Sequence, residues 1–199
     1  MRQNRAQERI DQIVDAVIRC IADNGYENLT MQNISEYSGL SRGAINHYFK
    51  KKEDILIEVL KAVDQQLFKK VDDKIRSSSD LKDHIRYRLS VTYELAKEDP
   101  VFMYVLMDFF ALAANNSTYD KGIKDFLKKY RYLSGAGLRP GLKNGKYKEV
   151  NAISIGAIVV ALTLGIGIQW VLDKNSFDYD EVARIAEDMV MFYLRKNNK

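Results

Sequence analysis

The chain has 199 residues, 46% of them hydrophobic and 29% charged, with a net charge of +4. That is the size of one large domain or two small ones, and the composition of an ordinary globular protein. A single cysteine, Cys20, excludes an intrachain disulfide and a cysteine-cluster metal site, and two histidines, His47 and His84, leave little for a histidine metal centre.

Few breakers and few alternating runs predict an all-α chain of about nine helices, the only prolines being Pro100 and Pro140. The first helix is expected over Ala6 to Asn24, with Ile10, Val14, Val17 and Ile21 on one face and Ile13 and Cys20 beside them. Asn24-Gly25 stops it. A short helix from Thr30 to Ser38 ends at Gly39, and a second, capped by Ser41, ends near Tyr48. A long helix follows Phe49 to about Ile75, striped by Leu56, Leu60, Val63 and Leu67. Ser77, Ser78 and Ser79 form a loop, and a helix over Asp80 to Lys97 comes next. Asp99-Pro100 starts another, from Val101 to Asn115. One more spans Tyr119 to Ser134. Gly135, Gly137, Pro140, Gly141 and Gly145 then break the chain. The last two helices cover Asn151 to Leu172 and Tyr179 to Lys196, with Asp178 and Glu181 as a capping pair for the second.

Helix, glycine turn and short helix within about 20 residues is a helix-turn-helix layout. Arg42, Lys50, Lys51 and Lys52 share residues 41–52 with no acid, and Arg2 and Arg5 lie in an acid-free start. A polyanion fits this distribution better than the modest total charge suggests. An exposed helix beginning Ser41-Arg42-Gly43 can lie in the major groove. There Arg42 suits guanine and Asn46 adenine. Thr30, Tyr48 and Lys52 suit phosphates, and Gly43 admits close backbone approach. Ser41, His47 and Lys50 complete the expected DNA-binding set. Ile34, Ile45 and Phe49 belong to the small core beneath it.

At Leu29-Thr30, Gly39, Ser41, Gly43, Ile45, Tyr48, Phe49, Lys52 and Glu53 the sequence resembles the TetR family of transcriptional regulators. Two positions depart from the family pattern. Asn46 stands where a phosphate-gripping tyrosine is usual, and Lys51 where a capping residue often begins the fourth helix. The resemblance implies a DNA-binding domain over residues 1–50 and a helical effector-binding and dimerisation domain over 51–199. Residues from Asn144 to Leu172 resemble one subgroup of the family, in which a glycine turn leads into a long helix; that subgroup takes varied effectors.

Val150 to Leu172 carries no charge and is long enough to span a bilayer. Against that reading stand Asn151, Ser154, Thr163, Gln169 and the glycines Gly156, Gly165 and Gly167. Ala157, Ala161 and Gly165 make a small-residue stripe that lets another helix approach. The resemblance implies a homodimer built from the last two helices, with Val182, Ile185, Met189 and Phe192 adding to that stripe. A dimer would place two recognition helices on a palindromic operator.

Val101 to Ala114 is apolar all round except for Asp108, so a buried helix is expected. Phe102, Met103, Met107, Asp108, Phe110, Phe126, Tyr130, Gln169 and Trp170 are the candidate ligand-binding residues, aromatics and methionines with a few polar points. Asp108, if buried, needs an arginine such as Arg88 or Arg131, or a cationic or hydroxyl-bearing ligand. No nucleophile–base pair, phosphate-cradling glycine loop or metal spacing points to an enzyme. No cofactor is expected. Two functions stay open: a cytoplasmic repressor released from DNA by a small apolar or amphipathic effector, and a DNA-binding regulator or architectural protein without a ligand.

Overall fold

Among the described residues apolar periodicity becomes ten α-helices: α1 (Arg2–Asn24), α2 (Met31–Ser38), α3 (Arg42–Tyr48), α4 (Lys52–Ile75), α5 (Leu81–Glu98), α6 (Val101–Asn115), α7 (Ser117–Ala136), α8 (Arg139–Lys143), α9 (Ala152–Leu172) and α10 (Tyr179–Leu194), with a 3-10 turn at Tyr26–Asn28. The structure, a computed structural model, describes residues 2–75, 80–98, 101–115 and 117–195, and among these there is no strand. The expected serine loop at Ser77 to Ser79, the Asp99-Pro100 helix start and the helix end at Lys196 lie outside the described residues.

The tenth helix, α8, forms inside the stretch expected to break the chain. Pro140 falls in its first turn, where a missing N–H costs nothing. Gly145 does turn the chain, with φ 73°, whereas Gly135 and Gly141 answer to packing. Gly135 does not end α7, which runs on to Ala136; a Cβ there would lie 2.2 Å from the Ala152 carbonyl oxygen. Gly141 lies against the Tyr147 ring, which an added Cβ would approach to 2.2 Å.

The chain divides into two compact units, one of residues 1–66 and 104–123, the other of 67–103 and 124–199. The division falls within α4, α6 and α7. In the first unit Ile13, Val17, Cys20, Ile34, Ile45 and Ile55 are completely buried. Cys20 is thus a core residue, and burial pushes its thiol above the ordinary pKa. In α6 the apolar surface is not buried all round: Tyr104 remains 40% exposed.

The second unit packs α5, α9 and α10 around Leu81, Ile85, Leu89, Val159, Ile166, Tyr179, Ala186 and Val190. Two glycines bring α9 close to its neighbours. A Cβ on Gly156 would lie 2.0 Å from the Arg131 carbonyl oxygen of α7, and one on Gly167 would lie 2.7 Å from Thr92 Oγ1 of α5. Helix α9 is long and apolar enough to cross a bilayer by length and composition. Yet Ile155, Val159, Thr163, Ile166 and Val171 form a buried face within the unit. Glu187 of α10 is buried too, and its charge is answered: Arg86 Nε donates at 2.8 Å and Lys82 Nζ lies at 3.2 Å. A buried carboxylate without such partners would cost several kcal/mol, on the order of the penalty for any lone buried ion.

Candidate nucleic-acid interface and pocket

Side chains of α1 set the direction of α3. The last carbonyls of α2 have no intrahelical donor, and α1 supplies two: Gln12 Nε2 donates to Ser38 O at 2.7 Å and Arg19 Nη2 to Tyr37 O at 3.1 Å. Gly39 then turns the chain with φ 68°, a left-handed conformation that glycine adopts without a Cβ clash. Ser35 Oγ donates to Leu40 O at 2.6 Å, fixing the turn. The helices on either side are capped as the sequence predicts. The Thr30 hydroxyl accepts from Asn33 N and the Ser41 hydroxyl from Ala44 N.

Ile45 and Phe49 anchor α3 in the core. Its other face carries Ser41, Arg42, Gly43, Asn46 and His47, all exposed, with exposed Thr30 and Lys50 at either end of the motif. Tyr48 is half-buried, its ring 5.1 Å from that of His47 in an edge-on contact. Lys50 Nζ donates to Asn46 O at 3.0 Å, a cation at the negative end of a short helix. Gly43 has helical backbone, and a Cβ there would meet only Ser41 Oγ, at 3.9 Å. Nothing inside the protein requires glycine at this position.

Two basic residues behave differently from their neighbours. Lys52 is half-buried, with Nζ 3.4 Å from Leu29 O and 5.2 Å from the centre of the Tyr26 ring. Lys51, which replaces a usual capping residue, is served from the other side: its backbone N–H donates to Asp54 Oδ2 at 3.3 Å. That is the returning half of a capping box, so the helix start keeps one cap despite the lysine.

The candidate ligand residues are divided between the two units. Met107, Asp108 and Phe110 belong to the first unit and are half-buried. Asp108 is not ion-paired with Arg88, whose Nη2 donates instead to Leu133 O at 2.9 Å. Partial burial raises the Asp108 pKa above the usual carboxylate value, and the nearby Glu27 charge adds to this. Phe102 and Met103 are buried in the second unit. Phe126 and Tyr130 line a small apolar pocket of about 30 Å³ in that unit, with Leu67, Val71, Val91, Val160 and Leu164 as further walls and Arg88, Thr92, Ser134 and Thr163 also in its lining. Gln169 and Trp170 are not in its lining. Gln169 is exposed and donates back to Gly165 O, while Trp170 packs edge-on against Tyr93 at 4.8 Å. Arg88, considered from sequence only as one possible partner for Asp108 beside Arg131 or a ligand, is a lining residue that sequence reasoning missed.

The expected dimer residues lie on α9 and α10. Ala161 is exposed, Ala157 and Gly165 are half-buried, and a Cβ on Gly165 would meet nothing within 4 Å. Val182 is half-buried, while Ile185, Met189 and Phe192 are 46%, 62% and 74% exposed.

Known proteins share this architecture. The sequence profile described as "Bacterial regulatory proteins, tetR family" matches residues 13–59. The fatty acid metabolism regulator protein of Bacillus subtilis is 27% identical over 168 residues, 84% of this chain and 86% of that protein. The HTH-type transcriptional repressor KstR2 of Rhodococcus jostii is 22% identical over 178 residues, 88% of this chain and 86% of that one. The crystal structure of the transcriptional regulator FadR from Bacillus subtilis in complex with stearoyl-CoA superposes with a TM-score of 0.78 at 23% identity, covering 92% of this chain and 98% of the other.

Proposed function

We propose that the chain is a member of the TetR family of transcriptional regulators, as the match over residues 13–59 supports, and a ligand-responsive repressor released from its operator by a small apolar or amphipathic effector. The exposed, acid-free face of α3 carries this reading, since it lies within the matched segment. Residues 1–50 are its DNA-binding domain and 51–199 its effector-binding and dimerisation domain. Arg42 and Asn46 read base edges, Gly43 admits the backbone, and Thr30, Ser41, His47, Tyr48 and Lys50 hold phosphates. Lys52 joins them by leaving the Leu29 carbonyl, or else it fixes the start of α4 against that carbonyl.

The protein is a cytoplasmic homodimer on a palindromic operator, and a regulator rather than an enzyme. The small pocket walled by Phe126, Tyr130 and the aliphatic side chains of α4, α5 and α9 opens to receive the effector. The stearoyl-CoA bound by the Bacillus subtilis structure, with its long apolar chain, supports an amphipathic occupant. An effector coupling of about 1–3 kcal/mol would lower operator affinity roughly 5- to 150-fold.

Binding to captured genomic fragments in a salt series tests the DNA half. Affinity falls steeply with salt if several of these basic residues neutralise phosphates. A flat salt dependence overturns the interface.

A further inference from the structure

Residues 126–148 hold seven basic residues and no acid, in a chain whose net charge is only +4, so the remaining residues are net acidic. Three of the seven, Lys128, Lys129 and Arg131, line an open groove of about 660 Å³ in the second unit, where Asp125 is the one acid. Its apolar wall is built by Phe68 of α4, Tyr132 of α7, and Ile153 and Ala157 of α9. Phe68, Tyr132 and Ile153 are 36%, 49% and 54% exposed. Lys128 and Arg131 make no ion pair among the described residues. Exposed apolar side chains rimmed by unanswered cations mark an interaction surface for something acidic.

The chain carries an acidic counterpart. Asp173, Asp178, Asp180 and Glu181 lie between the end of α9 and the first turn of α10, with Lys174 the one cation among them. All four are exposed and none makes an ion pair among the described residues. Groove and acids cannot meet within one copy, because they stand at opposite ends of α9, about 30 Å apart along the helix. Between them an open row runs at four-residue spacing, from Ile153 and Ala157 in the groove through exposed Ala161 to Gly165 and exposed Gln169. By helix rise, Ile153 lies about 12 Å from Ala161 in one direction and Asp173 about 18 Å in the other.

We propose that the groove is filled by the acidic α9–α10 connection of a second copy of the chain, so that α9 crosses its counterpart antiparallel near Ala161 with a charge clamp at each end. This rests on the homodimer reading and adds its register and the electrostatic cause of that register. A two-fold axis at Ala161, perpendicular to α9, sets each groove beside the other copy's acids, roughly 6 Å out of step along the helix and within reach of lysine and arginine side chains. A parallel crossing sets cations against cations and acids against acids, and like charges in register select against it. Exposed ion pairs add little affinity. Here they decide orientation.

Charge reversal in the full chain tests it. One variant carries Lys128→Glu and Arg131→Glu, the other Asp173→Lys and Asp180→Lys, and none of these positions is buried. Each variant alone dissociates roughly 10-fold more readily than the wild-type dimer in sedimentation, because like charges then face each other at both ends. Mixed, the two pair with one another in preference to themselves by native mass spectrometry, since each groove then meets a segment of opposite charge. The chain with all four reversed regains the wild-type dissociation constant. A dimer indifferent to the changes, or a mixture that pairs at random, overturns the clamp and leaves the homodimer standing. A wild-type chain that sediments as a monomer overturns both. Inorganic pyrophosphate bound by the wild-type dimer and lost with Arg131→Glu would show the groove open to a small anion, which also overturns the clamp. Should a variant fail to fold, the wild-type dimer decides: its dissociation constant rises several-fold between about 0.05 M and 0.5 M salt as the clamp is screened, and an unchanged constant overturns it.

Discussion

Gly43 separates what folding needs from what DNA binding needs. It sits in the first turn of α3 with helical backbone and open space around its Cα. Alanine there satisfies the fold, and by helix propensity it stabilises the protein by about 0.5–1 kcal/mol. The added methyl would stand on the face offered to the groove. Gly43→Ala therefore raises the melting temperature while weakening operator binding, measured on one preparation by thermal unfolding and fluorescence anisotropy. Unchanged affinity would show that the backbone does not approach DNA at this point. Lys52 shows where single-residue reading of the sequence stops. Spacing places it in the basic run, but only the folded chain reveals that Leu29 O and the Tyr26 ring hold its ammonium group.

At the scale of elements, the caps were legible in the sequence because they are local chemistry. Thr30, Ser41 and Asp178 each accept the backbone N–H three residues on. The glycine-rich connection was not legible, since Gly135 and Gly141 are small to admit Ala152 and Tyr147, partners that sequence spacing does not reveal. The burial of Arg88 and its hydrogen bond to Leu133 O were hidden for the same reason: burial and partners are tertiary facts. Tyr179, the first residue of α10, ties that helix to α5. Its phenol donates to Leu89 O at 2.6 Å, lies 3.1 Å from Thr92 Oγ1, and its ring stacks on Tyr93 at 4.3 Å. Burial pushes its pKa up to about 12, against a lesser lowering by the Thr92 and Tyr93 hydrogen bonds. The folded state thus holds this proton more tightly than the unfolded chain, whose value is about 10. The stability this provides is present in full below pH 10 and is lost as pH rises through 12, a change of roughly 2–3 kcal/mol. Arg88 acts in the opposite sense over the same range, its folded pKa being lowered, but it is common to wild type and Tyr179→Phe and cancels between them. Urea unfolding at pH 9 and pH 11.5 should show the gap between the two proteins narrowing at the higher pH. An equal gap at both would mean that Tyr179 does not titrate as a buried phenol.

The whole molecule leaves an apolar surface to be covered. Ile185, Met189 and Phe192 follow one another along α10 at helical spacing, and Ile153 and Ile158 of α9 are 54% and 48% exposed. Large side chains grouped in this way on a chain with a well-filled core mark an association surface. A second copy of the chain suits it, because a two-fold axis lets each stripe meet its own counterpart. Under the proposed function such an axis would also match a recognition unit of only seven residues, α3, to DNA: one copy would read a short half-site, and two copies bound together would read a palindrome far more tightly than either alone. Met189→Glu combined with Phe192→Glu places like charges across the axis and touches no buried position. The expected product is a folded monomer by sedimentation and circular dichroism, with operator affinity reduced by at least the ~10²-fold advantage that linking two sites supplies. Each monomer would retain weak, salt-sensitive binding to a half-site, because α3 and its basic neighbours are untouched. A doubly substituted chain that still sediments as a dimer would place the two-fold contact elsewhere, and a monomer with full operator affinity would show that one recognition helix is enough.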